Sequence, residues 1–116
     1  MLPRANRLNK QKDFDGVFRR GKIKQDNFLV LRFAPNQLGV SRFGLVVSAK
    51  VAKRAVDRNH LRRQLSEIIR FNQKEIKPGL DVVLTAKAKI LGVKYEKLKE
   101  SLTGLLKTSN IYAKHV

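Results

Sequence analysis

The sequence predicts a single α/β domain of the mixed α+β kind: a sandwich of a sheet and helices in the order αββαβα, with room for one further short strand. Three observations carry this. The stretch NFLVLRFA (27–34) alternates Phe28, Val30 and Arg32 against Leu29, Leu31 and Phe33, the period of a strand. Over residues 55–73 the period changes, and Leu61, Leu65, Ile68 and Ile69 fall at i, i+4, i+7 and i+8, one apolar stripe on a long helix. Glycine and proline are scattered singly through the 116 residues, with no repeat or low-complexity run, so residues 1–116 are taken as one domain.

The other elements follow in order. Residues 1–12 are polar and basic, and an extended N-terminal segment is expected there. In KDFDGVFRR, Phe14, Val17 and Phe18 share the i, i+3, i+4 spacing of a short helix that Gly21 stops. PNQLGVS is turn chemistry, and RFGLVVSA (42–49) is a β-branched strand. PGLDVVLTA (78–86) reads as a stop followed by a strand, and Leu98, Leu102 and Leu105 mark a C-terminal helix that breaks near Asn110.

Charge sets the function class. Lys and Arg number 26 against 9 acids, a formal net charge of +17, while 42% hydrophobic content is ample for a folded core. A folded scaffold displaying that much charge points to a polyanion, nucleic acid first. Cysteine is absent, which excludes disulfides and thiolate metal sites and fits a reducing compartment. The start, MLPRANRLNKQKDF, lacks a signal-peptide core, and no stretch approaches the ~18 apolar residues of a membrane span, so a cytoplasmic location with no membrane partner is expected.

Self-contained catalysis is not expected. The acids are dispersed, Asp13 and Asp15 point to different sides of a helix, Ser48 and Ser66 have no His-Asp relay, and His60 and His115 are the only imidazoles. The sequence therefore offers no catalytic residues, no metal ligands and no cofactor bound by the protein alone.

On a 3.6-residue wheel, Asn59, Arg63, Ser66 and Arg70 lie opposite the Leu61, Leu65, Ile68 stripe, with Arg58 and Arg62 flanking them. Lys50, Lys53 and Arg54 sit just upstream, where a helix N-terminus adds free N–H groups and partial positive charge. Arginine suits phosphate because its planar fork grips two oxygens, and asparagine both donates and accepts toward sugar or base edges. The bland alternative is a solvated face with its charges paired. Only Asp57 and Glu67 are available to neutralise residues 50–70, so a polyanion-binding face is the better reading, with Asp57 offsetting the helix dipole. Phe14 and Phe18, by spacing alone, are core residues.

The segment GLVVSAKVAKRAVDRNHLRRQLSEIIR (44–70) resembles the signature of the bacterial ribonuclease P protein subunit. Lys50, Ala55, Arg58, Asn59, Arg62, Arg63 and Glu67 stand at matching places, and NRLNKQKDFDGVF and DVVLTAK match too. Three cationic positions of the pattern depart: Ala49 replaces the first paired lysine, Ser66 an arginine, and His60 the third member of an Arg-Asn-Arg motif.

The resemblance implies a left-handed βαβ crossover, which topology rules alone would not give. It implies that Lys50, Lys53, Arg54, Arg58, Asn59, His60, Arg62 and Arg63 contact the ribonuclease P RNA. It further implies that Phe14 and Phe18, with Phe33 as the nearest ring on the first strand and Lys87 as a weaker candidate, line a cleft for the single-stranded 5′ leader of precursor transfer RNA. Aromatic rings in a basic groove suit that role, because bases stack on them without sequence demands. The implied reaction is Mg²⁺-dependent removal of the leader, with the RNA subunit as catalyst and the protein as accessory. A ribosomal or other structural RNA-binding protein, and a small metal-dependent nuclease, remain alternatives, and a helix-turn-helix DNA binder fits less well because strands surround the basic helix.

Overall fold

The computed structural model describes residues 2–109 and Ile111. A four-stranded sheet is built from β1 (Lys22–Gln25), β2 (Leu29–Pro35), β3 (Arg42–Val46) and β4 (Leu80–Ala86), in the spatial order β1-β2-β4-β3. β2 pairs antiparallel with both β1 and β4, whereas β3 and β4 run parallel and are joined through α2 (Ala55–Asn72). Helix α1 (Gln11–Arg20) precedes the sheet in the chain and α3 (Tyr95–Thr108) follows it.

Strand alternation splits the side chains between two layers. One face carries the cross-strand rows Phe33, Val82, Phe43 and Leu31, Leu84, Leu45, against which the α2 stripe of Leu61, Leu65, Ile68 and Ile69 and the α3 leucines 98, 102, 105 and 106 form the main core. The other face carries the rows Arg32, Val83, Gly44 and Val30, Thr85, Val46. There Leu8, Val17 and Val83 make a smaller cluster with Phe14 and Val46 beside it. β4 is buried on both sides because helices cover both, α1 on one and α2 with α3 on the other.

The hand of the β3-α2-β4 unit follows from one residue. Phe43 turns its ring into the α2 layer, while its carbonyl points away from β4 and accepts the Leu8 N–H at 2.9 Å. For an L-residue, that pairing of directions puts β4 to the left of an upward-running β3 when viewed from α2. The crossover is therefore left-handed, against the strong general preference.

Several expectations are refined. The further short strand is β1, the strand expected over 42–49 stops at Val46, and residues 47–54 form a loop into α2. The first twelve residues are not simply extended: Arg4–Asn6 is a 3₁₀ turn, Leu2 and Leu8 are buried, and Arg7 bridges to Phe43. Two leucines without a helical or strand period gave no signal for this in the sequence. The break expected near Asn110 falls on a residue outside those described, as does His115.

Gly44 makes the α1 layer possible. A Cβ there would stand 2.5 Å from two ring carbons of Phe14, so any side chain forces the ring or the helix to move. Gly44→Ala is expected to cost about 1–3 kcal/mol through overpacking, read as a lower urea midpoint. An unchanged midpoint would mean that the ring yields without strain.

Candidate nucleic-acid interface

Two surfaces are built by these elements. The first is the outer side of α2 and the 47–54 loop. The apolar stripe fixes the rotation of α2 by sinking Leu65, Ile68 and Ile69 to full burial, which leaves Asn59, Arg63 and Arg70 exposed and Ser66 half-buried on the opposite side. Lys50, Lys53, Arg54, His60 and Arg63 are exposed as well.

The arginines there are not equivalent. Arg54 forms an exposed ion pair with Asp57, Nε to Oδ2 at 2.9 Å, and the hydrogen bond and charge of Arg54 hold the Asp57 carboxyl below the usual carboxylate range. Arg62 donates from Nη1 to Asn59 Oδ1 at 2.9 Å, with its Nη2 3.4 Å from the Val47 carbonyl. Arg58 turns back along the chain, its Nη1 donating to the carbonyls of Ala52 at 2.9 Å and Lys53 at 2.8 Å. Arg63, Lys50 and Lys53 make no ion pair among the described residues, so their charge is open to a ligand.

The second surface is the open side of the sheet beside α1. Phe14 lies over Gly44, and Phe18, 46% exposed, carries the Arg32 guanidinium 4.9 Å from its ring centroid. Val30, Thr85 and Val46 form the adjoining row, all half-buried, and the Thr85 hydroxyl has no hydrogen-bond partner among the described residues. A ring, a guanidinium and a partly covered apolar floor make a surface on which a base can stack while its phosphate meets a cation.

The structure brings Phe14 and Phe18 together here but not Phe33. Phe33 shares its side of β2 with Leu29 and Leu31 and packs against the α2 and α3 core, because strand alternation assigns odd-numbered residues of β2 to that layer. The residue that β2 does supply to this surface is Arg32. The alternation of NFLVLRFA already set Arg32 apart from Phe33; aromatic character alone pointed the wrong way. Lys87 follows the last residue of β4, and its ammonium donates to the Asp26 carbonyl at 2.7 Å, tying it to the β1–β2 turn. Val30, Val46 and Thr85 had no motif to single them out.

Asp13, Asp26 and Asp81 are engaged in the scaffold. Asp81 accepts two hydrogen bonds from Arg42, at 2.8 and 2.7 Å, and a third from Asn36 at 2.8 Å, while Asp13 approaches the same guanidinium at 3.4 Å. Asp26 accepts the N–H groups of Phe28 and Leu29 at 2.8 and 3.0 Å and the Ser101 hydroxyl. Among the described residues no group of three or more His, Asp or Glu side chains is placed to hold a metal ion. No helix of the described residues is long and apolar enough to cross a membrane.

The chain as a whole is similar to known proteins. A family model described as ribonuclease P matches residues 2–110. The ribonuclease P protein component of a Synechocystis species is 38% identical over 111 residues, covering 95% of this chain and 90% of that protein. That of Caldanaerobacter subterraneus is 37% identical, covering 97% and 96%. The solved structure of the RNase P protein from Thermotoga maritima superposes with a TM-score of 0.80 at 35% identity, over 88% of this chain and 96% of that one. That of the Staphylococcus aureus protein gives 0.87 at 23% identity over 95% and 100%, a likeness of fold. With a matching model over nearly its whole described length and relatives of this identity and coverage, the chain belongs to the ribonuclease P protein family.

Proposed function

We propose that the exposed side of α2 and the 47–54 loop form the contact with the ribonuclease P RNA, and that the groove between α1 and the sheet holds the single-stranded 5′ leader of precursor transfer RNA. The family is the protein subunit of ribonuclease P, the endoribonuclease of transfer RNA 5′ maturation, and its partner is the ribonuclease P RNA. The observation that carries the assignment is the half-exposed Phe18 ring with Arg32 upon it, on the sheet face opposite the α2 layer. Two surfaces on opposite faces of the sheet let one small protein touch both RNAs at once.

In this reading the hydrolytic chemistry belongs to the RNA, with Mg²⁺ held by its phosphates, in the cytoplasm. The protein supplies cations that reduce repulsion between the RNAs and a groove that retains the leader. Asp13 and Asp81 are committed to Arg42, so neither is free to act as a base.

The test is cleavage of precursor transfer RNA at low Mg²⁺ by a bacterial ribonuclease P RNA, with and without the protein, and by the protein alone. Stimulation by the protein, and no cleavage by protein alone, are the expected results. Phe18→Ala is expected to weaken holoenzyme affinity for a substrate with a leader by about 1–3 kcal/mol, the usual worth of one base stack, and to leave mature transfer RNA binding unaltered. Equal weakening for both RNAs would remove the leader assignment.

A further inference from the structure

The two hydrogen bonds of Arg58 separate it from the other cations of α2. The loop from Val47 to Arg54 presents Lys50 and Lys53, both exposed; Val47 and Val51 pack on the core, Val51 and Ala52 donate their N–H groups to the Ser48 carbonyl at 3.1 and 3.2 Å, and Arg62 Nη2 lies 3.4 Å from the Val47 carbonyl. α2 begins without a side-chain cap, because its N-cap position is Arg54 rather than Ser, Thr, Asp or Asn. Arg58, in the second turn of α2, reaches back six and five residues, and one nitrogen takes the carbonyls of both Ala52 and Lys53. These carbonyls belong to the two peptide units on either side of the Lys53 Cα, so holding both fixes where the Lys53 side chain leaves the loop. Ala52 is 1% exposed, which anchors the same point from the apolar side.

We infer that Arg58 is a positioning residue: a clamp that sets the Lys50 to Lys53 loop on α2 and so presents these lysines to the ribonuclease P RNA, rather than an independent phosphate ligand. This rests on the proposed RNA contact of the loop. A guanidinium suits the task because the two hydrogens of one Nη can satisfy two carbonyls together.

Two measurements test it. Amide hydrogen exchange on the free protein comes first, comparing the parent chain with Arg58→Met and Arg58→Lys. The expected result is exchange at Val51 and Ala52 at least ~10-fold faster in Arg58→Met, partial restoration in Arg58→Lys, and unchanged protection in β2 and β4. Unchanged exchange at Val51 and Ala52 overturns the clamp, whatever RNA binding does. If the β2 and β4 amides also lose protection, Arg58 serves the whole fold, and the specific claim is overturned too.

The second measurement is a double-mutant cycle of RNA affinity. A clamp acts through the lysines, so Arg58→Met should weaken binding about 10-fold in the parent chain and less than about 2-fold in a Lys50→Ala, Lys53→Ala chain. Additive losses would make Arg58 a phosphate ligand in its own right and sink the inference. Normal affinity of the Lys50→Ala, Lys53→Ala chain would instead overturn the RNA contact of the loop, a failure that the exchange measurement keeps distinct from failure of the clamp.

Discussion

Asp81→Ala is expected to lower the free energy of unfolding by about 3–5 kcal/mol, the usual cost of removing one partner from a buried ion pair. Asp81 is 7% exposed and accepts from Arg42 twice and from Asn36 once. Its loss strands the Arg42 guanidinium, whose pKa is raised chiefly by its hydrogen bond to Asp81, with Asp13 at 3.4 Å as the remaining counter-charge. It also frees Asn36, which orders the β2–β3 turn through the Val40 carbonyl and the Leu38 N–H. Urea unfolding followed by circular dichroism reads the effect. A loss below ~1 kcal/mol would mean that water already shares the pair, as at a surface ion pair.

The second large effect is on RNA binding. The triple change Lys50→Ala, Lys53→Ala, Arg63→Ala is expected to reduce the slope of log affinity against log salt for the ribonuclease P RNA by roughly 2, since each lost phosphate contact is worth about 0.7–0.9. None of the three cations is in an ion pair among the described residues, so the scaffold has no need of their charge. The unfolding free energy should therefore remain near that of the parent chain. Filter binding from low to moderate salt supplies the slope. A parallel line would show that the RNA approaches another side of the molecule.

How far the sequence could be read depended on what repeats. The α2 stripe was legible because Leu61, Leu65, Ile68 and Ile69 satisfy a helical period that a buried face demands. β1 was hard to see because all four of its residues are exposed, leaving no alternation. The same rule that made β2 visible also decided between Arg32 and Phe33, and residue type was a poorer guide than parity. Arginine was the other blind spot. Along the wheel Arg54, Arg58, Arg62 and Arg63 look alike, yet one is paired, one binds loop carbonyls, one touches a neighbouring asparagine and one is open. A long cationic side chain chooses among such partners by the local path of the backbone, which periodicity does not encode.

The two outer edges of the sheet meet one hazard in different ways. A bare strand edge is a template on which a foreign chain can add itself. Beyond β3 that template is partly occupied by the protein's own beginning, through the Leu8 N–H and the Arg7 bridge to Phe43. Beyond β1 the edge is short and bears Lys22 and Lys24, which make a further strand costly to dock by charge and leave it little length to grip. The surplus of basic residues thus has a second use beyond attracting RNA: it guards against self-templated growth in a protein that must remain available to its nucleic-acid partner.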